Sequence, residues 1–137
     1  MSSLVGRFIG LDDSQKLDLG LAYHAGLFRI ERGIGTDADW GTLAMCIRLG
    51  MRFALKGNGA DDAPVLIAAH DALMECEARF RQSGRYVFTG DEMNAVRAGL
   101  TAHDQQMHRT SYYTVHNLLI SMDAELNADV EIERRAA

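Results

Sequence analysis

Three histidines stand in matching local settings. Leu21-Ala-Tyr-His24, Ile67-Ala-Ala-His70 and Leu100-Thr-Ala-His103 each place an imidazole three residues after an aliphatic side chain. Imidazoles that converge from neighbouring helices can hold zinc or iron. Asp71 and Asp104 directly follow two of these histidines, and Asp104 and His108 are four apart, a spacing that shares one helical face. Against a metal site, structural zinc takes four ligands and the second helix offers no fourth. Neither HExxH nor a paired ExxH occurs. The plainer reading makes His24 and His103 core-edge residues with satisfied hydrogen bonds, and Asp104–His108 an ordinary helical pair. A metal-binding bundle using His24, His70 and His103 is therefore the alternative, and the preferred reading has no cofactor.

Other chemistry is harder to find. No GxSxG elbow occurs, and Cys46 and Cys76 fall within or beside apolar helix faces, which makes them buried thiols rather than nucleophiles. They have no CxxC spacing and are too few for a disulfide scaffold. Gly57-Asn-Gly59-Ala-Asp-Asp is acidic where a phosphate loop needs GxGxxG or GxxxxGK[ST]. The expectation is a protein that is not an enzyme. Ala95 and Gly99 have the spacing of a helix-turn-helix, but Gln105, Gln106 and His108 fill later positions that should be apolar, and the net charge is -5. A DNA-binding regulator is the weaker alternative, and nucleic acid is not an expected partner.

Recognition of a protein fits better. Arg79, Arg81 and Arg85 gather where the third helix should end. They can simply complement its negative dipole end in water, or form a contact patch with Tyr86 and Phe88. Trp40, Arg85, Tyr86, Phe88, Tyr112 and Tyr113 are the candidate protein-binding residues, because aromatics and arginines anchor interfaces. Core packing is the common fate of a tryptophan at a helix start, which weighs against Trp40. Tyr112 and Tyr113 point to different sides of a helix.

Four helical segments would position these groups. The first spans about Asp12 to Arg32, capped by Asp12 with Gln15 reaching back, its face formed by Leu17, Leu21, His24 and Phe28. Gly33 and Gly35 end it. The second runs from Thr36, in a capping box with Asp39, to about Lys56, with Trp40, Leu43, Ile47, Met51 and Ala54 inward. Asp61, Asp62 and Pro64 open the third, which reaches Ser83 and stops at Gly84; Leu66, Ala69, Leu73, Cys76 and Phe80 form its core face. Arg85 to Phe88 is a short extended piece. Thr89 and Glu92 make a second capping box, with Phe88 and Met93 spaced as a hydrophobic staple.

The fourth segment starts at Gly90 and carries two stripes, Met93-Val96-Leu100-His103-Met107 and Val115-Leu118-Leu119-Met122-Leu126. One long or kinked helix reaching Leu126 would be roughly 50 Å long at 1.5 Å per residue. It would overhang a body of this size, so the expectation is a homodimer through this segment. A break in Thr110–Thr114 would instead give five helices. Gly20, Gly26, Gly41, Gly50 and Gly99 fall inside helices at a cost of about 1 kcal/mol each, which close helix contact would offset. The fold class is thus an all-α bundle of four or five helices, a single domain over 1–137 with its core at about 11–126 and a polar tail at 127–137.

Gly33-Ile-Gly-Thr-Asp-Ala-Asp-Trp-Gly-Thr-Leu-Ala44, Ser83-Gly-Arg-Tyr-Val-Phe-Thr-Gly-Asp-Glu92 and Leu100-Thr-Ala-His-Asp-Gln-Gln106 together resemble an uncharacterised group of small helical proteins. That group is carried by proteobacterial prophages, plasmids and other mobile elements. The likeness covers roughly Leu11 to Gln106 and rests on cap and turn signatures. It implies no activity and transfers no functional residue. It implies a context: small accessory proteins of mobile elements often bind and inhibit a host protein, anti-CRISPR proteins being one such class.

Composition agrees with a soluble domain of this kind. The 137 residues are 47% hydrophobic and 24% charged, enough apolar content to bury a core without disulfides. No apolar run approaches a membrane span, and the first residues lack the apolar region of a signal peptide, so the expected location is the cytoplasm. The expected partner is a host protein, and the expected role is non-enzymatic binding that blocks a defence system.

Overall fold

Capping boxes set the two best-defined helix starts. Thr36 accepts a hydrogen bond from the Asp39 amide at 3.2 Å, and the Asp39 carboxylate accepts from the Thr36 amide at 3.0 Å. Thr89 and Glu92 repeat the arrangement at 3.2 and 2.8 Å. The computed structural model describes residues 13–110, 117–122 and 124. Within them run α1 (Asp13–Glu31), α2 (Asp37–Leu55), α3 (Ala63–Ser83) and α4 (Gly90–Arg109), with a single 3-10 turn at Ala60–Asp62. All regular structure among the described residues is helical, and the architecture is the expected all-α bundle. Gly84 ends α3 in the left-handed region at φ 74°, where an L side chain would be strained.

α2 is the central helix. Leu43, Ala44, Met45, Cys46, Ile47, Leu49 and Phe53 are all buried, so most of its circumference lies inside. A helix that is apolar almost all round must be surrounded. α1, α3 and α4 each pack on it, and α3 and α4 pack on one another. Two helix-interior glycines mark the close approaches. A Cβ at Gly99 would come within 2.5 Å of the Ala69 Cβ, and one at Gly50 within 2.9 Å of Leu66. Their helical cost is offset by contact, as the sequence led us to expect.

Two expectations are corrected. The inward face of α1 is Tyr23, Leu27 and Ile30, whereas Leu21, His24 and Phe28 are exposed. Both stripes obey helical spacing, and the one that faces the core carries Tyr23, whose hydroxyl donates to Asp104 on α4. The fourth segment is not one helix to Leu126. α4 ends at Arg109, and Thr110 turns extended at ψ 137°. Helix is present again over 117–122, while 111–116 lie outside the described residues. There Leu119 is fully buried, and Leu118 and Met122 pack against the core. The second apolar stripe is therefore at least partly spent inside the molecule, and among the described residues no single helix of about 50 Å runs through this segment. No described helix is long and apolar enough to cross a membrane.

Candidate functional site at the 84–89 connection

The chain between α3 and α4 has no regular structure, yet many bonds hold it. Its side chains alternate as an extended segment dictates. Tyr86 and Phe88 turn in, at 8% and 7% exposure, while Arg85 and Val87 turn out. The Tyr86 ring stacks on Phe80 with centroids 4.1 Å apart and lies 6.3 Å from Trp40, nearly parallel to both. Its hydroxyl donates to Asp37 at 2.6 Å, tying the connection to the first turn of α2. Burial first, and then that carboxylate, push the Tyr86 hydroxyl well above its ordinary pKa, so it remains a donor. Trp40 is half-buried and donates its indole N–H to the Leu73 carbonyl at 3.1 Å.

Arg79 completes the attachment. Its guanidinium donates to the Val87 carbonyl at 2.8 and 3.3 Å and also grips the Glu92 carboxylate. Burial works to raise the Glu92 pKa, but Arg79 and the Thr89 cap outweigh it and hold the carboxyl below its usual range. Arg85 remains exposed and reaches sideways. One of its terminal nitrogens lies 3.0 Å from where a Gly33 Cβ would stand, so the 84–89 connection lies against the α1–α2 turn. That turn exposes Ile34 at 66%, and Val87 is exposed at 47%.

The proposed contact set thus divides. Arg85 is available at the surface, and Trp40 is a packing residue with one edge in solvent. Tyr86 and Phe88 are corrected to core residues, because alternation from an exposed Arg85 sends both inward. Tyr112 and Tyr113 lie outside the described residues. Sequence reasoning missed Ile34 and Val87. The signal for Val87 was the same alternation, and for Ile34 its place between two glycines.

The histidines do not converge. α1 and α3 both pack on α2 and α4 but not substantially on each other, so His24 and His70 lie on opposite flanks. His24 Nε2 bonds Asp104 at 2.8 Å, and Tyr23 donates its hydroxyl to the other oxygen of Asp104. His70 is half-buried, with Asp71 3.9 Å away. His103 is wholly buried, between the rings of Tyr23 and Phe53. Among the described residues no group of three or more His, Cys, Asp or Glu is placed to hold a metal ion. The alternative reading, a metal cluster of His24, His70 and His103, is therefore corrected.

Two further features lie elsewhere. A groove of about 350 Å³ between α1 and α4 is lined by His24, Leu27, Phe28, Glu31, Arg97 and Thr101, with Arg97 bonded to Glu31 at 2.7 Å. At the far end of α4, Gln106 donates to the Gly50 and Asn58 carbonyls at 2.9 and 3.1 Å, and its oxygen meets His103 Nδ1 at 3.3 Å. Asn58 returns bonds to the Gln106 carbonyl and Thr110, and accepts one from Arg109. Among the described residues nothing bonds His103 Nε2, and burial, opposed only in part by Gln106, lowers its pKa to about 4.

The fold and this surface define an all-α bundle with a rigid, partly apolar end. No known family matches the chain, and no curated protein or solved structure is significantly similar to it.

Proposed function

We propose that the protein works by binding another protein through the end of the bundle formed by Ile34, Arg85 and Val87, without catalysis of its own. What supports the reading is the pinning of 84–89. An irregular connection that is stacked, capped and clasped by Arg79 presents its outward residues with little conformational entropy left to lose, which favours binding. Exposed isoleucine and valine beside an arginine offer the apolar anchor and charged rim that protein contacts use. The resemblance to accessory proteins of mobile elements supplies the partner class, a host protein, and the role, inhibition of a defence system.

The test compares wild type with an Ile34→Asp, Arg85→Glu, Val87→Asp variant in capture from bacterial host lysate, followed by affinity measurement on the protein captured. The triple variant, folded by circular dichroism, should lose at least about a hundredfold in affinity. Unchanged capture, or a stoichiometric metal in the native mass spectrum of wild type, overturns the reading.

A further inference from the structure

The turn between α1 and α2 carries a cationic spot on an acidic chain. The net charge is -5, yet arginines elsewhere in the bundle are spent on carboxylates. Arg29 pairs with Asp39, Arg79 with Glu92, Arg81 with Glu77 and Arg97 with Glu31. Arg32 and Arg85 are exposed and meet no carboxylate among the described residues. Both stand at this turn, since Arg32 opens it and Arg85 lays a terminal nitrogen against Gly33. The carboxylates that border it are already engaged. Glu31 and Asp39 hold their own arginines, and Asp37 accepts the Tyr86 hydroxyl. Asp37 also stands in the first turn of α2, where the helix dipole offsets its charge. Asp91, exposed in the first turn of α4, forms an ion pair with neither arginine. Both cations are nonetheless held in place. The Arg32 guanidinium lies 4.6 Å from the centre of the Phe28 ring, and stacking uses its face while leaving the edge donors to a ligand. Arg85 is carried by the pinned connection.

We propose that this end of the bundle takes an acidic segment of the partner protein. Its Asp or Glu side chains reach Arg32 and Arg85, and an apolar side chain beside them covers Ile34 or Val87. The inference rests on the binding end proposed above and names the chemistry of what it binds. Charge complementarity selects the occupant, because two cations without carboxylates repel a basic partner and gain charge-assisted hydrogen bonds from an acidic one. The aliphatic pair selects a peptide over a nucleic acid. Isoleucine and valine give bases no stacking platform, and the acidic remainder of the chain repels a phosphate backbone that runs past the spot. The contact should be selective as well as attractive. A partner segment without acidic groups would leave both guanidiniums partly desolvated and unpaired, which costs affinity.

A library of random peptides displayed on phage, selected on the immobilised full chain, reads this chemistry without knowledge of the natural partner. Enriched peptides should carry Asp or Glu beside an aliphatic or aromatic residue. The most enriched peptide, synthesised and titrated by calorimetry, should bind about tenfold more weakly to an Arg32→Gln, Arg85→Gln variant. Raising NaCl from about 50 mM to about 500 mM should weaken wild-type binding by a similar factor. Both arginines are exposed, so circular dichroism of the variant should match wild type. Neutral or basic peptides that need Ile34 and Val87 but ignore the double variant overturn the acidic partner and leave the binding end standing. Peptides indifferent to all four positions overturn both. A selection that enriches nothing overturns the acidic partner alone, since capture from lysate tests the binding end separately.

Discussion

Two connections at different places in the bundle are fastened by opposite means. The 84–89 segment is held by stacked rings, a tyrosine hydroxyl and an arginine clasp, mostly near the surface. The 56–62 segment is held by side-chain amides, with the buried Gln106 reaching from α4 to carbonyls on α2 and the connection itself. The first device pairs the Tyr86 hydroxyl and the Arg79 guanidinium and frees alternate side chains for contact. The second places a neutral imidazole in the core, one nitrogen of which has no hydrogen-bond partner among the described residues. Rings and ion pairs tolerate a wide range of pH, whereas a buried histidine does not, so the two ends should fail under different conditions.

Acid should expose the contrast most strongly. Unfolded, His103 takes up a proton near pH 6.5; folded, it stays neutral down to about 4. Between those values the unfolded chain binds more protons, so stability falls as pH falls. The loss should total about 3 kcal/mol. Urea titrations at pH 7.5 and 4.5 should show it, and His103→Leu should flatten the difference. Asp39 and Glu92, whose folded pKa values are lowered, add their own loss only below the ordinary carboxylate range. Next in size, Gln106→Leu should cost about 2–3 kcal/mol by leaving the Gly50 and Asn58 carbonyls short of a donor. At the other end, Tyr86→Phe should cost about 1–2 kcal/mol, since only the bond to Asp37 is lost and the stack remains. Smallest of all, Arg85→Glu should change stability by less than about 0.5 kcal/mol while weakening partner binding, a split that distinguishes a presenting residue from a fastening one.

The sequence made the caps plain because each is written in four or five adjacent residues. Thr36–Asp39, Thr89–Glu92 and Gly84 needed no knowledge of the rest of the chain. The face of α1 was misread for a reason of the same kind. Leu21, His24 and Phe28 share helical spacing just as Tyr23, Leu27 and Ile30 do, and nothing local says which stripe meets α2. Tyr86 and Phe88 were assigned to the surface because of their arginine neighbours, although alternation after Arg85 carried the opposite message. The amide network was illegible because Gln106 and Asn58 are 48 residues apart. Its only trace was Gln106 itself, a polar residue at a position that a helix-turn-helix would make apolar.

The two free cysteines turn this architecture into its own stopwatch. Cys46 lies on the central helix at zero exposure, and burial raises its pKa well above the ordinary thiol value. Cys76 is buried too, but it lies beside the Val87 amide, under the 84–89 connection. A thiol reagent can reach the first only when the whole bundle opens, and the second whenever that connection lifts. The ratio of their labelling rates therefore measures how often one end breathes without the rest.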